Sequence, residues 1–96
     1  MKKAMELKKI MDEITARLET ITVEGVSGDG KYTVTALVTA TKKIKNITLS
    51  DELIQQGDKE YMEDLIVTAL NRALDKAQNV AEAEGRNAAM GGMFGM

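Results

Sequence analysis

The chain of 96 residues has no cysteine, no histidine and no tryptophan, and only 3% of it is aromatic. Without cysteine there are no disulfides and no thiolate zinc sites. Without histidine the commonest metal ligand and proton shuttle is gone. Nucleophilic catalysis would have to run on Ser, Thr, Tyr, Lys or a carboxylate. No enzymatic activity, cofactor, metal or small-molecule substrate is expected. The shortage of rings argues against platforms that bind single strands by stacking bases. Long hydrophobic runs are missing as well. The opening stretch "MKKAMELKKIMDEI" interrupts its apolar residues with charge, so it reads as neither signal peptide nor membrane span, and the cytoplasm is the expected location. A single domain of this size is marginal alone. With disulfides and metals excluded, a partner subunit is the remaining source of support.

What the chain does contain is clear periodicity. Residues 2–20 place Ala4, Leu7, Met11, Ile14 and Leu18 at alternating steps of three and four, a helix with a coiled-coil-like seam. The period then changes. Ile21 and Val23 alternate with Thr22 and Glu24, and "SGDGK" at 27–31 carries a strong turn signal. Tyr32, Val34, Ala36, Val38 and Ala40 alternate with Thr33, Thr35, Leu37, Thr39 and Thr41. This strand has one small apolar face and one face of threonines, which read as solvent-facing fillers. Lys42 and Lys43 mark a turn, and "KNITL" at 45–49 forms a third strand. Short connections predict an antiparallel meander with one face needing cover.

Ser50 caps one or two helical turns that Gly57 breaks, and Asp58 caps a long helix expected to run to Arg86. Its stripe is Met62, Ile66, Ala69, Ala73, Ala77, Val80 and Ala81. A helix of that length outruns a three-stranded sheet, so its far end is expected to meet another helix. Gly85 reads as the helix stop, and residues 87–96 ("NAAMGGMFGM") as a disordered tail after a single domain at 1–86. The fold class is therefore α+β: an N-terminal helix, a three-stranded antiparallel meander, a short helical turn and a long C-terminal helix.

Charge is segregated. The net charge is −2, yet residues 1–10 carry four lysines against one glutamate, and residues 42–45 carry three lysines. Residues 50–64 hold Asp51, Glu52, Asp58, Glu60, Glu63 and Asp64 against a single lysine. The acids lack the alternating spacing of a calcium loop, and they suit helix starts. "GDG" is too short for a phosphate loop, and Gly28 and Gly30 are explained by the turn. The lysines at 42–45 either form a solvated turn that blocks edge pairing or present positive surface to a polyanion.

"VEGVSGDGKYTV", "IKNITLSDEL" and "DKEYMEDLIVTALNRALDKAQ", in this order and spacing, resemble the YbaB/EbfC family of bacterial nucleoid-associated proteins over nearly the whole chain. The resemblance implies a tweezer-like homodimer with paired helices as arms. It implies binding of double-stranded DNA with little or broad sequence preference, organisation of the nucleoid and effects on expression. The family has no contact signature that transfers residue by residue; basic positions before the third strand recur in kind, here Lys42, Lys43 and Lys45. The arms offer Lys2, Lys3, Lys8, Lys9, Arg72, Lys76 and Arg86 as further candidate phosphate contacts. The expected dimer seam is Leu7, Met11, Ile14 and Leu18 with Ile66, Ala69, Ala73 and Ala77. With only three arginines, base-specific readout is not suggested. The alternative is a scaffold whose arms clamp a protein.

Overall fold

The computed structural model describes the backbone of residues 2–94 and the side chains of residues 5–87. In chain order the elements are α1 (Lys2–Glu19), β1 (Thr22–Asp29), β2 (Tyr32–Thr39), β3 (Ile44–Leu49), α2 (Asp51–Gln56) and α3 (Lys59–Phe94). The sheet order is β1-β2-β3 and both pairings are antiparallel. This is the expected α+β meander with helices at both ends.

Each boundary has a local cause. The hydroxyl of Thr20 donates to the Arg17 carbonyl at 2.6 Å, and the amides of Thr20 and Ile21 close the last turn of α1. Asp29 pairs with Tyr32, which leaves Gly30 and Lys31 as a two-residue hairpin loop. Gly30 has φ +58°, the conformation such loops favour. Ser50 caps α2 by accepting from the Leu53 amide at 3.4 Å. Its hydroxyl also accepts from the Thr33 amide at 3.1 Å and donates to the Lys31 carbonyl at 2.7 Å. One side chain thus joins the start of α2 to the β1–β2 hairpin. Asp58 caps α3, accepting from the Tyr61 amide at 3.1 Å.

The core lies between one face of the sheet and the first half of α3. Val34, Ala36 and Val38 of β2, Leu53 of α2, and Leu65, Ala69, Ala73 and Ala77 of α3 are buried together. Burying a Val or Leu side chain contributes about 1.5–3 kcal/mol. Alanines contribute less area each, but they let the helix come close. On β1 the approach is closest: a Cβ added to Gly25 would overlap the Ala69 carbonyl oxygen and the Ala73 amide nitrogen and lie 2.9 Å from Ala73 Cα. Two residues along, the buried Ser27 hydroxyl donates to the Leu65 carbonyl. β1 therefore runs antiparallel to α3. The other face of the sheet carries the cross-strand rows Val26–Thr35–Thr48 and Glu24–Leu37–Asn46.

Two expectations change. Ala69, Ala73 and Ala77, expected in a dimer seam, are fully buried against the chain's own sheet, and Ile66 packs on the same core. The small size of Ala69 and Ala73 serves contact with Gly25, and with Ala77 they are not open to a second chain in this arrangement. The long helix also does not stop at Gly85. It continues to Phe94, through most of the segment expected to be a disordered tail. Gly85 lacks the left-handed backbone of a helix stop, and a single interior glycine costs only about 1 kcal/mol relative to alanine. Residues 95 and 96 lie outside the described residues.

At 36 residues α3 is about 54 Å long, and the molecule measures 59 × 21 × 17 Å. The part beyond the sheet meets α1, where Arg17 Nε lies 3.3 Å from Glu84 Oε2 and Leu18 is buried. The overlong helix thus finds a helical neighbour within its own chain.

Gly25 and Gly85 should respond oppositely to alanine. Gly25→Ala forces backbone apart and should destabilise by about 1–3 kcal/mol, a fall in Tm of roughly 4–8 °C per kcal/mol. Gly85 has open space around it, so Gly85→Ala should stabilise by about 0.4–1 kcal/mol. Thermal melts by circular dichroism check both, and an unchanged Tm for Gly25→Ala would contradict the close approach.

Candidate nucleic-acid interface

The turn joining β2 to β3 is the most defined basic feature. The Lys42 amide donates to the Thr39 carbonyl at 2.9 Å, and the Thr39 amide donates back to the Lys43 carbonyl at 2.8 Å. Lys42 itself has φ +71°. This left-handed backbone costs a residue with a Cβ roughly 1–2 kcal/mol, so a lysine there is not the choice of turn stability alone. Ile44 pairs with Val38 and Asn46 with Leu37, which leaves Lys45 as the extra residue of a bulge. Lys42, Lys43 and Lys45 are all exposed.

The same turn touches the end of α1. Ala40 donates its amide to the Ile21 carbonyl at 2.9 Å. Lys43 Nζ lies 3.5 Å from Glu19 Oε1, with both side chains largely in solvent. Glu19 is the last residue of α1, where a carboxylate opposes the helix dipole. Its favourable partner is therefore Lys43 and not its own helix.

The acidic residues sit at the other end of the sheet. Asp51 and Glu52 open α2 and Glu60 lies in the first turn of α3. Ser50 and Ser27 pin these helix starts to the β1–β2 hairpin. Strands of six to eight residues separate the two ends by roughly 20–25 Å at about 3.3 Å per residue. That exceeds the Debye length of about 8 Å at physiological ionic strength. The acidic end therefore does not cancel the field at the lysine turn.

The remaining basic candidates do not join into one patch. Lys8 and Lys9 line an open groove of 580 Å³ along α1, together with Met5, Asp12, Glu13 and Ala16. Two carboxylates there offset two lysines. Lys2 and Lys3 belong to the first turn of α1, and their side chains lie outside the described residues. Arg72 Nη1 donates to the Val26 carbonyl at 2.7 Å, which ties it to the free edge of β1, across the sheet from Lys45. Lys76 follows one turn later on α3, and Lys76 and Arg86 are both exposed. Sequence reasoning missed Thr39 and Glu19. Neither has a local signal, because each acts through a residue distant in sequence or turned by the loop.

Of the expected α1 seam, Leu18 is buried and Ile14 half-buried, whereas Leu7 and Met11 are 61% and 65% exposed. Ile10 is exposed beside them, whereas the exposed Met5 lies on the face with Lys8 and Lys9. The seam is thus covered at one end of α1 and open at the other.

A family model described as the YbaB/EbfC DNA-binding family matches residues 1–93. A nucleoid-associated protein of Flavobacterium johnsoniae is 37% identical over 84 residues, covering 88% of this chain and 76% of that one. A nucleoid-associated protein of Nitrobacter winogradskyi is 39% identical over 93 residues, covering 97% and 85%. The solved structure of the uncharacterized protein HP0035 from Helicobacter pylori superposes with a TM-score of 0.72 at 20% identity, covering 85% of this chain and 84% of that one. That likeness shows the fold.

Glu19→Gln should free Lys43 from its intramolecular anion. An exposed pair is worth about 0.2–1 kcal/mol, so affinity for a polyanion such as duplex DNA should rise by roughly 1.4- to 5-fold at low salt. Fluorescence anisotropy checks it, with Glu52→Gln at the far end as the control expected to change little. Equal gains from both substitutions would mean that net charge, and not the pair, governs the response.

Proposed function

The chain belongs to the YbaB/EbfC DNA-binding family, and on that premise we propose that it is a nucleoid-associated protein that binds double-stranded DNA as a homodimer through phosphate contacts. The observation that carries the phosphate reading is the exposed Lys42, Lys43 and Lys45 turn, set apart from the acidic end by the length of the sheet. Lysine suits phosphate as a mobile point charge, while bidentate base reading favours arginine. Arg72 already spends one donor on the β1 edge. The expected role is therefore sequence-tolerant binding that organises DNA and affects expression, in the nucleoid of the cytoplasm, with no reaction catalysed.

The homodimer reading rests on the open half of the α1 seam and the small size of the core. Two-fold symmetry doubles every basic patch, which raises the number of phosphates met at once. Leu7 and Met11, with Ile10, are the residues available for it; Ala69, Ala73 and Ala77 are not. A second reading is a protein clamp. It is favoured by the exposed Ile54 and Val67 on the helices that carry the acidic end. A clamp of that kind need not bind duplex at all, so duplex titrations separate the two.

Neutralising Lys42, Lys43 and Lys45 together with glutamine should weaken duplex binding for all sequences alike. Each lost phosphate contact lowers the log–log salt slope by about 0.9, so a dimer losing several contacts should show a distinctly flatter slope. Anisotropy titrations at several NaCl concentrations read both quantities. Wild-type protein that binds no duplex even at low salt would replace this reading with the clamp.

For the dimer, Leu7→Asp with Met11→Asp should give monomers without loss of fold. Both side chains are mostly in solvent within the single chain, so charge there harms only an interface. Sedimentation velocity at micromolar concentration should show dimer for the wild type and monomer for the double variant. A wild-type monomer with a cooperative melt would exclude the dimer.

A further inference from the structure

Thr39 ends β2 and alternates onto the sheet face of Thr33, Thr35 and Leu37, the face on which threonines read as solvent-facing fillers. It is instead 3% exposed, and the β2–β3 turn folds back over it. Its main chain exchanges bonds with Lys42 and Lys43: its carbonyl accepts from the Lys42 amide and its amide donates to the Lys43 carbonyl. Its hydroxyl makes two more contacts: Oγ1 accepts from the Lys43 amide at 3.1 Å and lies 2.7 Å from Thr41 Oγ1. The hydroxyl is fully used inside the turn.

The amides of Lys42 and Lys43 therefore both end on oxygens of Thr39. Consecutive amides gathered by a left-handed residue make a concavity that attracts anions. Here Thr39 fills it, so these two amides are not offered to phosphate and the charge must come from the side chains. An extended strand would send Lys42 and Lys43 to opposite faces. The left-handed Lys42 breaks that alternation, and the bond from the Lys43 amide to Thr39 Oγ1 closes the turn around it.

We infer that Thr39 is a positioning residue for DNA binding: its buried hydroxyl holds Lys42 in the left-handed conformation and presents Lys42 and Lys43 together to the phosphate backbone. Thr39 itself touches no DNA. The inference rests on the proposed phosphate reading of this turn, and it assigns to a buried threonine a part of the affinity that the lysines display. Without the hydroxyl bond the turn samples other backbones, and the two ammonium groups no longer meet phosphates at the same time.

The test uses the full chain with Thr39→Val, which keeps the shape and removes the hydroxyl, and Thr39→Ser, which keeps the hydroxyl. Thr39→Val is also placed in the background that has Lys42, Lys43 and Lys45 changed to glutamine. Binding to a duplex of about 25 base pairs is followed by anisotropy against NaCl, below the melting temperature of every variant. Thr39→Val should weaken binding several-fold and flatten the log–log slope by about 0.9–1.8, the loss of one or two phosphate contacts. Thr39→Ser should keep affinity and slope. In the glutamine background Thr39→Val should change neither. An equal loss in that background, or a wild-type slope for Thr39→Val, would make the hydroxyl a matter of stability alone and overturn the inference. If the lysine changes themselves leave binding and slope untouched, the phosphate reading of the turn has failed and takes the inference with it. If the lysines matter and Thr39→Val does not, only the inference falls. Should Thr39→Val not fold, Thr39→Ala removes the same acceptor of the Lys43 amide with a smaller side chain and carries the same comparison.

Discussion

The contact of α3 with β1 at Gly25 constrains the rest of the fold. A glycine on the strand and alanines on the helix bring two backbones within the radius of a missing Cβ. A larger residue on either side would lift the helix from the sheet and open gaps that Val34 and Leu53 alone could not fill. Cores tolerate neither voids nor excess atoms cheaply. The stripe of small residues sets how α3 lies along β1, and so which part of the helix covers the sheet and which part runs past it. The overhang then meets α1 at Arg17 and Glu84. The elongated shape is thus a consequence of close packing at one end.

That geometry also orders the charge. The β1–β2 hairpin, the start of α2 and the start of α3 are fastened together by Ser27 and Ser50, and the acids accompany those helix starts because carboxylates suit the positive end of a helix. The β2–β3 turn lies at the opposite end of the strands, next to the exit of α1. A chain with net negative charge therefore carries a basic end that lies farther than a Debye length from the acids at the starts of α2 and α3, with Glu19 as its own local acid. Family membership and this polarity point the same way. The energetics of the basic end are local: one surface ion pair, one residue in a costly backbone conformation and one buried hydroxyl.

The groups at that end differ in what they contribute. Lys42, Lys43 and Lys45 are exposed, and in the proposed reading their part is to neutralise phosphates and release counterions. Glu19 and Thr39 touch the lysines but stand in other roles, one as a competing anion and one as a support. Arg72 is held to the edge of β1, where it occupies an otherwise open carbonyl. Capping an edge strand in this way discourages pairing with other chains.

The sequence alone determined the order and kind of every element, because period two and period three-to-four leave signatures that do not depend on context. It also determined the caps at Ser50 and Asp58, the hairpin at residues 27–31 and the separation of acid from base, each a local property of side chains. The tertiary structure decided the rest. Ala69, Ala73 and Ala77 form a stripe that fits a partner helix or a close strand equally well, and only the glycine opposite them on β1 selects the strand. Gly85 reads as a stop, but a helix stops there only if the backbone turns left-handed, and its backbone does not. Thr39 looks like its neighbours on the pleat, and the fold-back of a turn with a left-handed lysine buries it. Pairing of Glu19 with Lys43 joins residues far apart in sequence, and no local pattern encodes which distant charge a helix end will meet.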